Sequence, residues 1–217
     1  MTLQNQLDVI RGEELAKTPP AVREILVEAE RYLRDTGTGG EVVEIGQTAP
    51  DFTLFDVSGN EVSLAAASAR GPVILDFFRG GWCPFCSLEL RAYQRLIDSI
   101  ENAGASLLAI SPETPHYLRE VVRDNEITFP VLSDTGNDVA RSFGLVYTLP
   151  ESLRSIYEGF GLDLPERQGS PTLELPIPAT FLVDRDRTVR RAFHDLDVAR
   201  RGEPADFIEA LGELRPR

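Results

Sequence analysis

The chain has only two cysteines, Cys83 and Cys86, and both lie in Trp82-Cys-Pro-Phe-Cys86. What flanks them constrains their setting. Val73-Ile-Leu-Asp-Phe-Phe78 is a short apolar run, Gly80-Gly81 interrupts it, and Leu88, Leu90, Ala92, Leu96 and Ile97 then recur at helical spacing. The expected order is strand, turn, helix, with both sulfurs at a helix N-terminus. There the unpaired backbone N–H groups and the positive end of the helix dipole favour thiolate over thiol, so the more exposed sulfur is expected to be acidic and nucleophilic. The spacing also places both sulfurs on one face, within disulfide reach.

A disulfide across two intervening residues closes almost no chain entropy, which speaks against a structural staple. A zinc site takes about four ligands, and beyond the pair only His116 and His194 are available. Redox chemistry is the strongest reading, with no metal and no cofactor expected. The two histidines are expected at the surface or in packing positions.

Length and charge set limits. With 217 residues, 42% hydrophobic and 26% charged, the chain suffices for one sizeable core and an appendage. A formal charge of -13 argues against nucleic acid or an anionic membrane as partner, because both would repel it. The first ten residues lack the basic and then apolar pattern of a secretory signal. No apolar run approaches the roughly 20 residues of a membrane span. A closely spaced cysteine pair then points to a reducing, cytoplasmic location, where such pairs are usually catalytic.

Residues 1–44 read as a helical N-terminal extension. Leu3, Leu7, Val9 and Ile10 mark a first helix. Thr18 offers an N-cap and Pro19 a first position for a second, in which Val22, Ile25, Leu26, Ala29, Tyr32 and Leu33 recur. The main domain is expected over residues 45–217. It opens with a hairpin around Asp56-Val-Ser-Gly-Asn60 and continues through the central strand and helix. A strand at Ser106 to Ser111, a helix from Thr114 to Asn125 and a strand at Thr128 to Leu132 follow. Residues 149–176 look like an insertion with one helical segment and a loop. A hairpin within residues 178–194 and a helix from Pro204 to Leu214 close the chain. Such β-α-β-α-β order suggests a mainly parallel sheet, with a site at the carboxyl ends of its strands.

The motif Trp82-Cys-Pro-Phe-Cys86 after an apolar strand resembles that of thioredoxins and glutaredoxins. Its frame is more particular. Gly46-Gln-Thr-Ala-Pro-Asp-Phe-Thr-Leu54, Phe78 to Leu90, Phe129-Pro-Val-Leu-Ser-Asp134, Tyr157 to Pro165 and Pro178-Ala-Thr-Phe-Leu-Val-Asp184 resemble the peroxiredoxin-like branch of the alkyl hydroperoxide reductase and thiol-specific antioxidant family. The resemblance covers about residues 45–214. It implies an α/β, thioredoxin-like fold with a mixed central sheet flanked by helices. It implies a thiol peroxidase that reduces hydroperoxides through the cysteine pair, recycled by a thioredoxin- or glutathione-type thiol reductant and assembled as a homodimer. A protein-disulfide oxidoreductase is the alternative, and a non-catalytic binding module of the same fold a further one, against which retention of both cysteines speaks.

Residue by residue, Cys86 matches the peroxidatic cysteine of peroxiredoxins, and Cys83 stands where those enzymes have a threonine that helps hold the peroxide. Pro178 replaces the family arginine before the penultimate strand and matches the cis-proline of thioredoxins, which implies a cis peptide bond packed against the cysteine pair. Arg79 takes the motif proline's place and offers positive charge to a substrate, with Trp82 beside the pair. Asp76 interrupts an apolar run, where a lone carboxylate is costly unless paired or protonated. It resembles the buried acid of thioredoxins, which implies taking a proton from the second cysteine. Either sulfur is a candidate for first attack: the peroxiredoxin alignment points to Cys86 and the thioredoxin-like geometry to Cys83, with the surrounding frame tipping toward Cys86.

Overall fold

Residues 73–77 form the fully buried strand β3 (Val73–Phe77) in the computed structural model, which describes residues 1–214. The last three residues of the expected domain, 215–217, lie outside the described residues. Strand β3 pairs in parallel with β4 (Ser106–Ser111) and antiparallel with β8 (Ala179–Val183). On one side the sheet extends through β5 (Val131–Ser133) to the hairpin of β1 (Thr53–Asp56) and β2 (Glu61–Ser63), and on the other to β9 (Val189–His194). The order is β2-β1-β5-β4-β3-β8-β9.

Among the described residues, parallel pairing is confined to β3–β4 and β4–β5. The sheet is therefore mixed, as the resemblance implies, and not mainly parallel as the order of elements suggests. Two of the antiparallel pairings are hairpins, β1–β2 and β8–β9, whose short turns force that direction; the other two, β1–β5 and β3–β8, join these edge hairpins to the parallel strands.

Alternation along β3 sorts its side chains. Val73, Leu75 and Phe77 join a core with Phe143, Phe181 and Leu132 on one face. Ile74 and Phe78 face the other, with Cys83, Cys86, Leu90, Tyr93 and Phe207. That face is covered by the motif helix α4 (Pro84–Gln94), α5 (Ile97–Asn102), the crossover helix α6 (Pro115–Asp124) and the closing helix α10 (Pro204–Glu213). Short helices α3 (Leu64–Arg70) and α7 (Asp138–Ser142) accompany the first core.

The insertion differs from the single helix expected. It carries α8 (Glu151–Gly159) and α9 (Leu164–Gln168), and its neck is a two-stranded sheet of β6 (Val146–Thr148) and β7 (Glu174–Pro176). The N-terminal helices α1 (Leu3–Lys17) and α2 (Pro20–Asp35) brace different parts of the protein. Leu3 and Leu7 of α1 pack on Leu88 and Ala92 of α4, while the expected packing residue Val9 is 56% exposed. The start of α1 is pinned by Glu203, whose carboxylate accepts from the N–H groups of Leu3 (2.9 Å) and Gln4 (2.8 Å). Helix α2 sets Ala29 against Leu149, Leu153 and Leu164 of the insertion. Pro19, not Thr18, occupies its N-cap position; the Thr18 hydroxyl turns back to the Glu14 carbonyl at 2.7 Å instead. Among the described residues no helix is long and apolar enough to cross a membrane.

Candidate active site

Past β3 the chain turns through Arg79, Gly80, Gly81 and Trp82 before α4 begins. Gly80 has φ +151°, and a Cβ there would lie 2.5 Å from Trp82 Nε1 and 2.8 Å from the Glu113 carboxyl carbon, so no other residue fits without displacing them. The Cys83 N–H closes the turn on the Gly80 carbonyl at 3.2 Å. Cys83 is the N-cap of α4, Pro84 its first residue and Cys86 its third. Both thiols are free and buried, at 1% and 0% exposure.

The insertion is tied to this turn at two points. Glu113, itself buried, accepts from the Gly81 N–H at 2.7 Å and pairs with Arg167 of α9, whose guanidinium lies 4.1 Å from the Tyr117 ring. Arg79 donates to the hydroxyl of Tyr157 of α8 and stacks 4.6 Å from the centre of the Trp82 ring.

The two sulfurs do not share their proton evenly. A hydrogen bond from Cys86 pulls the Cys83 thiol down to about 6 against the effect of burial, with the charges of Arg79 and Arg201 adding to it. Burial, then the hydrogen bond to Cys83 and its charge, push Cys86 well above the ordinary thiol range. Of the two, Cys83 is the more acidic thiol and Cys86 the less acidic.

Behind Cys86 lies a buried ionic cluster. Arg201 pairs through Nε with Glu89 at 2.6 Å and reaches the Cys86 sulfur through Nη2 at 3.6 Å. Burial raises the Glu89 carboxyl to about 7, despite Arg201. Asp76, with no exposed surface, accepts from the Thr180 hydroxyl at 3.3 Å, and its Oδ2 has no partner among the described residues. Burial first, then the charge of Glu89, hold Asp76 well above the usual carboxylate range.

A model of the AhpC/TSA family matches residues 45–192. The chain belongs to that family. Among the curated relatives of this AhpC/TSA chain, the thiol-disulfide oxidoreductase ResA of Bacillus thuringiensis subsp. konkukian is 26% identical over 153 residues, 70% of each chain. Peroxiredoxin Q of Gentiana triflora chloroplasts is 28% identical over 153 residues, 70% of this chain and 60% of that one. In fold, peroxidoxin BcpB of Mycobacterium tuberculosis superposes with a TM-score of 0.63 at 22% identity, covering 80% of this chain and 99% of that one.

Of the residues singled out in the sequence, Cys83, Cys86, Asp76, Arg79 and Trp82 converge here. Arg79 is a buried cation, not a solvated one. Pro178 is buried directly before β8, but its peptide bond is trans, since no cis bond occurs among the described residues. The expectation of a cis bond is thus corrected. The Ile177 N–H donates to the Leu145 carbonyl at 2.8 Å, which carries the β6–β7 pairing up to the residue before Pro178. His116 and His194 are exposed. Sequence reading missed Glu89, Arg201, Glu113 and Tyr157. Glu89 carried a local signal, since it follows Cys86 at helical spacing i+3 and shares its buried face, and Tyr157 stood in a stretch that carried the resemblance without a role of its own.

Proposed function

We propose that the thiol-dependent oxidoreductase chemistry of this chain is hydroperoxide reduction, begun by Cys83. The observation that carries this reading is the buried pair at the start of α4, in which Cys83 is the more acidic thiol and Cys86 the less acidic. A small hydroperoxide suits such a closed site better than a folded protein.

The Cys83 thiolate attacks the terminal oxygen of R–O–OH; an S–O bond forms and the O–O bond breaks. The alkoxide leaves with the electron pair, faces the Arg79 charge and takes up a proton from solvent, the one Cys83 had given up, to become the alcohol. Cys83 is now a sulfenic acid. Cys86 gives its proton to the buried carboxylates, Asp76 or Glu89, both within reach of its field. Its sulfur attacks Cys83, the S–S bond forms, and the hydroxyl leaves as water once protonated. An external dithiol of the thioredoxin or glutathione type restores both thiols by exchange. Trp82 fixes Arg79 by stacking, and Pro178 has a positional claim on the site through its place directly before β8. Residues 1–44 act in this proposal as a helical extension to a catalytic domain, residues 45–217, working as a cytoplasmic homodimer.

A second reading, protein-disulfide exchange, is favoured by the similarity to ResA. It uses the same order of attack, with a disulfide sulfur as leaving group. Parallel assays decide: consumption of hydrogen peroxide and an alkyl hydroperoxide with thioredoxin as reductant, against reduction of insulin disulfides. Fast peroxide turnover with slow insulin reduction is expected; the reverse overturns the peroxidase reading.

A further inference from the structure

Arg79 is a buried cation, 3% exposed, yet no carboxylate pairs with it among the described residues. Its Nε lacks a partner, and its guanidinium donates to the Tyr157 hydroxyl. An unpaired charge in such a place is costly unless something offsets it. The geometry of the surroundings shows what keeps it there. The guanidinium lies 4.6 Å from the Trp82 ring centre and 5.7 Å from that of Tyr157, and the two rings meet edge-on at 5.7 Å. Tyr157 belongs to α8 and reaches the motif loop from the insertion.

We propose that Tyr157 is a positioning residue: its hydroxyl holds the Arg79 guanidinium over the motif loop, so that the insertion takes part in activating Cys83. The inference rests on the reading of Cys83 as the attacking thiolate. The groups that face Cys83 and Arg79 come from four elements: Cys86 of α4, Tyr147 of β6, Tyr157 of α8, and Arg201 from the segment before α10. Of the two arginines, Arg201 is held on Glu89 at 2.6 Å, while Arg79 has no such partner among the described residues and bears more on the Cys83 charge. Phenylalanine at position 157 would keep the ring on Trp82 and remove only the acceptor that orients the guanidinium.

The test is the pH profile of Cys83 alkylation by iodoacetamide, with the modified cysteine assigned by peptide fragmentation. In wild-type protein the profile is expected to turn near 6. Tyr157→Phe is expected to move it up by about one unit, leaving about tenfold less thiolate at pH 5. In an Arg79→Gln background, Tyr157→Phe is expected to add nothing, because its effect passes through the arginine. A wild-type midpoint near the ordinary thiol value of 9.0 overturns the reading of Cys83 and this inference with it. A wild-type midpoint near 6 with no shift in Tyr157→Phe, or an equal shift in both backgrounds, overturns this inference alone. If Tyr157→Phe does not fold, Arg79→Lys replaces it: lysine keeps the charge but loses the planar fork. The same upward shift is then expected, and an unchanged profile is contrary.

Discussion

Two arginines approach the sulfur pair, and what each one faces decides its effect. Arg201 reaches the Cys86 sulfur and pairs with Glu89; Arg79 pairs with no carboxylate among the described residues. After the hydrogen bond from Cys86, the Arg79 charge is the next influence that lowers the Cys83 thiol, and the proposed order of attack, Cys83 before Cys86, is the reverse of the one that alignment with peroxiredoxins suggests. Removing Arg201 leaves Glu89 buried without its partner. Arg201→Met is expected to cost roughly 3 kcal/mol, read by urea denaturation, with the loss deepening as pH rises and Glu89 ionises. Asp76 gives a prediction of opposite sign. Its folded-state value is raised above the ordinary 3.8, so its contribution to stability is present at low pH and is lost as pH rises through the raised value. Asp76→Asn, which keeps an acceptor for Thr180, is expected to gain stability relative to wild type at pH 8 by roughly 1–3 kcal/mol, and less at pH 5. A larger gain at pH 5 would contradict the assignment. Asp76 was legible because a carboxylate inside a run of buried aliphatic residues has to be explained. Arg201 was not: it reaches Cys86 from a segment 115 residues away, and nothing in the local pattern marks it.

At the scale of elements, the strand–turn–helix around the cysteines was legible because the apolar run, the glycines and the helical spacing agree with one another. The insertion was only half legible. Helix α9 spans five residues, too short for a hydrophobic period. Its ends rest on local chemistry instead, with Asp163 accepting from the Glu166 N–H at 2.9 Å and Gly169 closing it at φ +61°. Its function in the fold depends on partners distant in sequence, Glu113 and the Gly80–Gly81 turn. Glu113→Ala is accordingly expected to speed amide hydrogen exchange at Gly81 and along α9 together; unchanged protection at Gly81 would show that the turn holds without this tie. Helix α1 makes a simpler case. Leu7 is fully buried on α4, and Leu7→Ala is expected to cost about 2–3 kcal/mol in denaturant titration, near the low end for a core leucine because the site lies at the edge of the protein.

For the whole molecule, the general fold and its mixed sheet followed from the family frame, whereas the order of elements alone suggested a mainly parallel sheet and neither gave the closure. Pairing direction depends on which strands the hairpins bring to the edges, and closure depends on an insertion meeting the motif loop. Exposed Val27 and Tyr32 on α2, and Phe160 on the insertion, leave apolar surface that the proposed homodimer would cover. Sedimentation velocity at micromolar concentration is expected to show twice the chain mass; a lone monomer would remove the dimer from the account. The central claim, that Cys83 attacks first and Cys86 resolves, has the most direct test. Cys86→Ser and Cys83→Ser are each treated with one equivalent of hydroperoxide in the presence of dimedone, and the labelled residue is identified by mass spectrometry. Label on Cys83 in the first variant and none in the second is the predicted result. Label on Cys86 in the second, with Cys83 unlabelled in the first, would contradict it.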